Sequence, residues 1–377
     1  MPDTSARPPF RADHVGSLLR PQEVLKARDE FAAGAITAQQ LKEIEDVAIQ
    51  KIIRMQGEVG LNTATDGELR RESWHMDFIY QLGGIKKVAD DTIKVEFHNK
   101  EKNFTFAPPS AHVVEPITLT HTIFADAFTF LRDNATPGQT PKITIPSPSM
   151  VHYRGGREAI DATVYPDLAQ FWDDLAAAYA QEIRRLYDLG ARYIQLDDTS
   201  MAYVNDPKQR EHVAAIGGDP NHQHETYIAT MNKALAGRPA DLTVTVHTCR
   251  GNNQSMWAAE GSYDFVADSL FNGLNVDGFF CEWDDERSGG FGPLRYLPKG
   301  KRVVLGVMTT KSGELESVDY LKGRVEEAAK YADIDQLAIS GQCGFSSTKE
   351  GNSLTQDQQW AKLARLVETA QDIWGTL

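Results

Sequence analysis

Four side chains of metal-binding type lie at or just beyond the ends of apolar runs. His247 and Cys249 close the run 244–249, Glu282 follows a later run, and Cys343 follows another. In an extended strand, residues i and i+2 point to the same side, so His247 and Cys249 can reach one ion. Imidazole, thiolate and carboxylate ligands together suit zinc. We therefore predict a zinc site formed by His247, Cys249, Glu282 and Cys343.

Cys281 and Glu282 compete for one place in this site. Neighbouring residues of a strand point to opposite sides, so only one of them can face the ion. Three thiolates and a histidine would form a closed structural site, whereas a carboxylate is a weaker ligand that an incoming substrate can displace. We favour Glu282 as the ligand and predict that Cys281 packs in the core.

Zinc held by two thiolates favours alkyl transfer to sulfur over activation of water. A metal ion lowers the pKa of a thiol bound to it and keeps it as a thiolate near neutral pH. A hydrolytic zinc site would more usually have two or three histidines and a carboxylate base. The predicted chemistry is therefore alkylation of a small thiol.

The composition excludes several classes of protein. The 377 residues include 53 acidic and 39 basic ones, which gives a formal net charge of −14. Nucleic acids and anionic membranes require a basic face, so neither is expected as a partner. No apolar stretch reaches the roughly 18 residues that span a membrane, and Met1–Arg11 lacks the apolar segment of a signal peptide. Three cysteines are too few for a disulfide framework, so we expect a cytoplasmic protein, with a homo-oligomer left open.

Short apolar runs alternate with amphipathic segments, as in βα units around a parallel sheet. Core strands are predicted near residues 14–17, 61–65, 142–146, 193–196, 242–247, 276–281, 302–307 and 336–340. Helices are predicted at about 38–58, 119–133, 167–189, 207–236, 254–270, 317–331 and 355–374. This pattern indicates an α/β protein with one (β/α)8 TIM barrel over residues 1–377 and a β-hairpin-like insertion at about 84–118, between strands two and three.

Polar groups follow the predicted strands, where barrels of this kind carry their chemistry. In chain order they are Gly16-Ser17, Asp66-Gly67-Glu68, Ser147-Pro148-Ser149, Asp197-Asp198, His247-Thr248-Cys249, Glu282, Thr309-Thr310-Lys311 and Cys343. Because the carboxyl ends of the strands meet at one edge of the sheet, we expect these groups to surround a single site.

Several segments resemble the catalytic barrel of cobalamin-independent methionine synthase. They are HVGSLLRP, TDGELRRESW, IQLDD, HTC, EWDDERSG and SGQCGF. The resemblance runs from about residue 12 to 375 and is strongest to the short members of the family, which have a single barrel. It implies a zinc-dependent methyltransferase that converts homocysteine to methionine, with zinc on His247, Cys249, Glu282 and Cys343.

The resemblance also implies roles for residues around the metal. Backbone groups of Val15 and Ser17 would bind the carboxylate of the amino acid, and Glu68 and Asp197 would bind its ammonium group. Glu282 would have a catalytic role as the ligand that the substrate displaces.

Departures from the family pattern leave the methyl donor open. Long members have a further N-terminal barrel that helps to hold the folate tail. Where they have a tryptophan-containing stretch this chain has Ser147-Pro148-Ser149, and where they have Asp-Ile-His it has Thr309-Thr310-Lys311. Lys311 would take the place of that catalytic histidine and could bind an anionic group. The donor is therefore methyltetrahydrofolate, a methylcorrinoid or another methylated compound.

Other roles stay open for these residues and for the chain. Glu68 could pair with Arg70 or Arg71, Asp197 could cap the next helix, and the charged run 284–287 is typical of a solvated loop. An alternative enzyme would join another thiol to another electrophile, such as an epoxide. An alternative of a different class is a non-catalytic barrel with structural zinc.

Overall fold

The computed structural model describes residues 7–88, 94–107 and 110–376. The strands are β1 (Thr63–Ala64), β2 (Gly83–Val88), β3 (Val95–His98), β4 (Asn103–Phe106), β5 (Ser110–Thr118), β6 (Thr140–Pro146), β7 (Tyr193–Asp198), β8 (Thr243–Thr248), β9 (Gly278–Glu282), β10 (Arg302–Met308) and β11 (Leu337–Gly341). The α-helices are α1 (Gln22–Ala32), α2 (Ala38–Glu58), α3 (Met76–Ile79), α4 (Ala125–Asn134), α5 (Leu168–Asp188), α6 (Ser200–Tyr203), α7 (Pro207–Ala215), α8 (Gln223–Leu235), α9 (Val318–Ala328) and α10 (Gln356–Trp374). None of these helices is long and apolar enough to span a membrane.

Seven strands form one parallel sheet in the order β1-β6-β7-β8-β9-β10-β11. Amphipathic helices connect most neighbouring strands, and the architecture is a mixed α/β fold of the TIM-barrel-like kind. Since all seven strands run the same way, their carboxyl ends lie along one edge of the sheet. Most of the predicted polar groups are found at that edge.

The strand predicted at 14–17 is wrong as a regular strand. Ala12 forms one isolated parallel bridge with Ile339 of β11. Beyond this bridge the chain turns at Gly16, whose φ is +148°, so the ladder does not continue. The segment still lies between the two edge strands of the sheet, because Thr65 Oγ1 donates a hydrogen bond to the Gly16 carbonyl at 2.7 Å.

The region of the predicted insertion contains two small antiparallel sheets. Strand β2 pairs with β5, and β3 pairs with β4. Residues 89–93 and 108–109 of the predicted segment lie outside the described residues. The antiparallel pairs agree with the alternation of the sequence, while the assignment of the segment as an insertion stays a prediction.

Most predicted helices are present, with one clear exception. The segment 207–236 contains two helices, α7 and α8, with Gly217-Gly218 between them. The segment 254–270 contains no α-helix: Gln254 and Ser255 have φ of +49° and +68°, which no α-helix allows. Only a 3₁₀ turn at Tyr263–Phe265 and a π-helical turn at Ser269–Gly273 form there.

Side chains of the sheet alternate between two apolar layers. A large layer contains Phe279 and Cys281, whereas a small separate cluster is formed by Val15, Phe280, Val304 and Ala338. Residues i and i+2 of a strand share a side, so Glu282 lies on the side of Phe280. Cys281 lies on the other side, as predicted from its position in the sequence.

A buried ion pair occupies the same interior, near the start of β7. Lys142 Nζ lies 3.1 Å from Asp13 Oδ1 and 3.2 Å from Gln195 Oε1. The hydroxyl of Tyr193 donates to Asp13 Oδ2 at 2.9 Å. The side chains of Asp13 and Lys142 are fully buried, and every charged atom of the pair has a partner. We call Asp13, Lys142, Tyr193 and Gln195 the lower polar cluster.

Candidate metal centre and substrate cavity

The four predicted metal ligands come together. One ligand atom from each of His247, Cys249, Glu282 and Cys343 lies within 4.8 Å of the other three, and all four residues are buried. Zinc–ligand bonds are about 2.0–2.3 Å long, so atoms that share one zinc ion are at most about 4.6 Å apart. The limit of 4.8 Å is close to this separation, and one imidazole, two thiols and one carboxylate are donors that suit a single zinc ion.

Three strands of the sheet place these ligands. His247 is in β8 and Cys249 directly follows this strand, Glu282 ends β9, and Cys343 lies two residues beyond β11. The Sγ atoms of Cys249 and Cys343 are 3.4 Å apart and form no disulfide. Cys281 lies outside the cluster, and burial raises the pKa of its thiol to about 12.

The imidazole of His247 is oriented for a metal ion. Its Nδ1 lies 3.3 Å from the Phe280 carbonyl, to which it can donate. Its Nε2 is buried and has no hydrogen-bond partner among the described residues. Burial lowers the pKa of His247, but the nearby Cys343, Asp197 and Glu282 outweigh this effect and raise it to about 9. In the metal-free site a proton therefore occupies the nitrogen that a metal ion would bind.

The thiols of Cys249 and Cys343 are in contact, and their pKa values shift in opposite directions. A hydrogen bond from Cys249 lowers the pKa of Cys343 well below its ordinary value, although burial opposes this effect. The same hydrogen bond, together with burial, raises the pKa of Cys249. Of the two thiols, Cys343 is therefore the more acidic.

The carboxylate of Glu282 is held from two sides. Its Oε1 accepts from the Arg250 amide at 2.7 Å, and its Oε2 accepts from Arg287 Nη2 at 3.0 Å. Arg287 also pairs with Asp284 at 2.8 Å and with Asp285. The expectation of a solvated charged loop is wrong for this pair, since the side chains of Arg287 and Asp284 are only 4% and 2% exposed.

A cavity of about 360 Å³ opens beside the cluster. Its inner end is lined by buried residues, among them Ser17, Asp197, His247, Cys249 and Cys343. Its outer end is lined by exposed residues, among them Glu72, Lys87, Phe104, Lys349 and Glu350. Trp74 and Arg154, which are partly buried, and His75 and Tyr203, which are buried, also line the cavity.

The backbone of Val15 and Ser17 lines the inner end. The amide of neither residue donates a hydrogen bond to a described residue. A Cβ on Gly16, between them, would lie 2.7 Å from Thr144 Cγ2, so only glycine allows this close turn. The turn is held to the loop of Cys343 because the Phe345 amide donates to the Ser17 carbonyl at 2.9 Å. Free amides in such a turn suit a carboxylate.

Two carboxylates face the inner end of the cavity. Glu68 has φ +57°, a strained conformation for a residue other than glycine, and such strain clusters at functional sites. Its Oε1 accepts from Thr144 at 2.9 Å and lies 3.8 Å from Arg71, whereas its buried Oε2 has no partner among the described residues. Burial, and then the charge of Glu68, raise the pKa of Asp197 to about 7. Burial also raises the pKa of Glu68. A cation such as an ammonium group would complete this pair.

Asp198, beside Asp197, has a structural role as a hydrogen-bond acceptor. Its carboxylate accepts from Ser147 at 2.5 Å, from Ser149, and from the Met201 amide at 2.7 Å. The Met201 amide lies in the first turn of α6, so Asp198, not Asp197, stabilises the start of this helix. Asp197 therefore remains available to the cavity.

Lys311 lies behind the wall of the cavity. Its Nζ donates to Asn252 Oδ1 at 3.2 Å, and Asn252 lines the cavity whereas Lys311 does not. Asn252 in turn donates to the Gly344 carbonyl, beside Cys343, at 2.8 Å. Burial raises the pKa of Glu282, but Lys311 and nearby arginines lower it overall. This position favours an electrostatic role for Lys311 over direct binding of an anion.

Four residues of the site were not identified from the sequence: Arg154, Tyr203, Arg250 and Arg287. The sequence did contain a signal for Arg287. It is the one cation in the charged run 284–287, and the three acidic residues before it could pair with it. Arg154 and Tyr203 come from the segments after β6 and β7, and no local pattern marks them.

Comparisons with known proteins show the family of this chain. The family described as "Cobalamin-independent synthase, Catalytic domain" matches residues 10–372. The uncharacterized protein YxjH of Bacillus subtilis is 46% identical over 368 residues, which cover 97% of this chain and 95% of that protein. A methionine synthase of Pyrococcus abyssi is 25% identical over 335 residues, which cover 88% of this chain and 85% of that protein.

Solved structures of related proteins superpose on this chain. A protein of Listeria monocytogenes, provisionally identified as a vitamin-B12-independent methionine synthase, superposes with a TM-score of 0.77 at 36% identity, over 97% of this chain and 98% of that chain. A B12-independent methionine synthase of Shewanella sp. W3-18-1 superposes with a TM-score of 0.69 at 19% identity, over 96% and 97% of the chains, and shows the fold alone. This chain therefore belongs to the cobalamin-independent methionine synthase family and is a methyltransferase.

Proposed function

We propose that this enzyme transfers a methyl group to the sulfur of homocysteine, giving methionine, with one zinc ion as its cofactor. The observation that carries the proposal is the cluster of His247, Cys249, Glu282 and Cys343 within 4.8 Å, in the wall of a cavity. The name of the Pyrococcus abyssi relative supports the same reaction. We treat residues 1–377 as one catalytic domain and place the enzyme in the cytoplasm, in keeping with its three free cysteines.

The inner end of the cavity would hold the amino-acid part of homocysteine. Its ammonium group would pair with Asp197 and with the free Oε2 of Glu68, whose other oxygen lies 3.8 Å from Arg71. Its carboxylate would accept hydrogen bonds from the amides of Val15 and Ser17. Because His247 is directly opposite Asp197 in the sheet, this placement brings the sulfur of the side chain towards the cluster.

The residues of the cluster fit a site in which one ligand gives way to substrate. When bound, zinc would keep the acceptor sulfur as a thiolate at neutral pH and so supply the nucleophile. Glu282 is the weakest of the four ligands, and it retains the Arg250 amide and Arg287 as partners when it moves aside. Lys311 would stabilise the negative charge of this region through its field, from behind Asn252.

The donor can be identified by direct assay. We take methyltetrahydrofolate as the first candidate, with methylcorrinoids and other methylated compounds as alternatives. Zinc-loaded enzyme would be incubated with homocysteine and each donor, and methionine would be measured by mass spectrometry. We expect methionine with at least one donor, loss of the activity after chelation, and recovery on addition of zinc.

Two results would contradict the proposal. Absence of methionine with all donors would remove homocysteine as the acceptor, and activity that survives zinc removal would remove the metal role. In cobalt-substituted enzyme, an absorption change on addition of homocysteine would show an open coordination position. An unchanged spectrum would instead indicate the non-catalytic barrel with a structural metal. A preference for another thiol in competition with homocysteine would indicate the alternative transferase.

A further inference from the structure

Arg154 is a cation in the lining of the cavity, and no carboxylate among the described residues pairs with it. It follows the 3₁₀ turn Pro148–Val151 at the carboxyl end of β6, and it is partly buried. No ion pair or hydrogen bond of its guanidinium is found among the described residues, in contrast to Arg71, Arg250 and Arg287. Burial lowers the pKa of Arg154, and only tyrosines, no carboxylate, oppose this effect. A partly buried arginine without a partner is a strong binding site for an anion.

Tyr203 connects Arg154 with the metal cluster. Its hydroxyl is buried and has no hydrogen-bond partner among the described residues. It lies close to Gly251, where an added Cβ would be 2.7 Å from it, and the Gly251 amide donates to Cys249 Sγ at 3.3 Å. Burial raises the pKa of Tyr203, Arg154 opposes this effect, and Cys249 adds to it. A ligand held by Arg154 would therefore extend past Tyr203 towards the cluster.

The rest of the cavity offers aromatic surfaces. The rings of Trp74 and His75 are stacked with their centroids 4.3 Å apart. Phe97 of β3 and Phe104 of β4 line the same cavity, so the antiparallel strands contribute to its wall. The cations at the outer end, Lys87 and Lys349, are exposed to solvent, which weakens their attraction for an anion. The arrangement suits a body with apolar faces and one negative group.

We propose, on the basis of the function inferred above, that Arg154 determines which methyl donor is used by binding an anionic group of the donor. The body of the donor lies against Trp74 and His75, and its methyl group points past Tyr203 to the acceptor sulfur. As the new sulfur–carbon bond forms, the bond between the methyl carbon and the leaving atom breaks, and that atom keeps the electron pair. An amine leaving atom takes one proton from water before or as this bond breaks and so leaves as a neutral amine, whereas the sulfur of a sulfonium donor leaves as a thioether.

Matched donors test this assignment. One pair is methyltetrahydrofolate and methyltetrahydropterin without the carboxylate tail, and the other is dimethylsulfoniopropionate and trimethylsulfonium. The enzyme variants are Arg154→Gln, Arg154→Lys and, as a control, Arg184→Gln, which removes an exposed arginine of α5 that is paired with Asp188. The measurements are KM and kcat for methionine formation, and donor binding without homocysteine, followed by tryptophan fluorescence.

We expect the original enzyme to prefer the carboxylate member of at least one pair, and that pair identifies the donor class. Arg154→Gln should weaken binding of this member by about 10- to 100-fold, the usual loss for a charged hydrogen bond. Arg154→Lys should recover part of the loss, and Arg184→Gln should show none. Zinc content and the KM for homocysteine should stay unchanged in all three variants.

The inference and the proposed function can fail separately. Equal binding of the carboxylate donors by the original enzyme and Arg154→Gln, or no binding by either, would overturn the role of Arg154. Equal use of both members of each pair by the original enzyme would also overturn it. Binding that depends on Arg154 without any methionine would retain the anion site and overturn the proposed reaction.

Discussion

The lower polar cluster and the candidate metal centre are both buried at the same parallel sheet. They differ in whether their polar atoms have hydrogen-bond partners. In the lower polar cluster, each charged atom of Asp13 and Lys142 has a protein partner. Around the metal centre, His247 Nε2, Glu68 Oε2 and the Tyr203 hydroxyl have none among the described residues. A buried polar atom without a partner costs about 1–3 kcal/mol, and a ligand bound in the cavity could remove this cost at the candidate site. The comparison distinguishes a structural polar cluster from a functional one.

The largest expected effect concerns the cysteines. Cys343→Ala should reduce bound zinc from one ion per chain to less than about a tenth of that, because a thiolate ligand is lost. Cys281→Ala removes a thiol on the other side of the same sheet and should leave zinc content unchanged. The zinc bound per chain would be measured by metal analysis of both purified variants. Equal zinc in Cys343→Ala and the original protein would remove the distinction between the two clusters.

The next effect concerns the lower polar cluster. Lys142→Met should lower the free energy of unfolding by about 3–5 kcal/mol, because it leaves the carboxylate of Asp13 buried without its cation. Zinc content should not change in the folded fraction. Urea unfolding checks the first result, with Lys233→Met as the control, since the Lys233–Asp173 pair is exposed. A stable Lys142→Met variant with impaired zinc binding would reverse the roles of the two regions.

The smallest effect concerns the acceptor site. Glu68→Gln keeps the shape of the side chain and removes its charge, so it should raise the KM for homocysteine by about tenfold or more. Stability should fall only slightly, because the buried Oε2 has no partner to lose and the ion pair of Oε1 with Arg71 is long, at 3.8 Å. Glu43→Gln, on the exposed face of α2, is the matched control. A loss of stability with unchanged KM would place Glu68 with the structural residues.

The sequence was sufficient for the ligands and for most of the sheet. Strand alternation separated Glu282 from Cys281, and the rule that parallel strands end at one edge placed His247, Cys249 and Cys343 together. These inferences succeed because they depend on periodicity, which the sequence displays directly. The general fold followed from the same patterns, whereas the family followed from the resemblance of six sequence motifs.

Other features depend on contacts that no local pattern encodes. The segment after Cys249 has helical composition, yet Asn253 bridges Met256 and the backbone at Gln254 has positive φ. The turn at Gly16 replaces the first strand for a similar reason, since the loop of Cys343 holds it in place. The isolation of Arg154 could not be predicted, because the absence of a partner is a property of the whole cavity.

The gradient from exposed to buried residues along the cavity has a kinetic consequence. On the proposed assignment, the amino-acid groups lie at the inner end and Arg154 lies nearer to solvent, so a donor in place would obstruct the path of the acceptor. Homocysteine then has to enter before the donor, and methionine has to depart after the spent donor. Steady-state kinetics should accordingly show a compulsory order, with methionine competing against homocysteine alone.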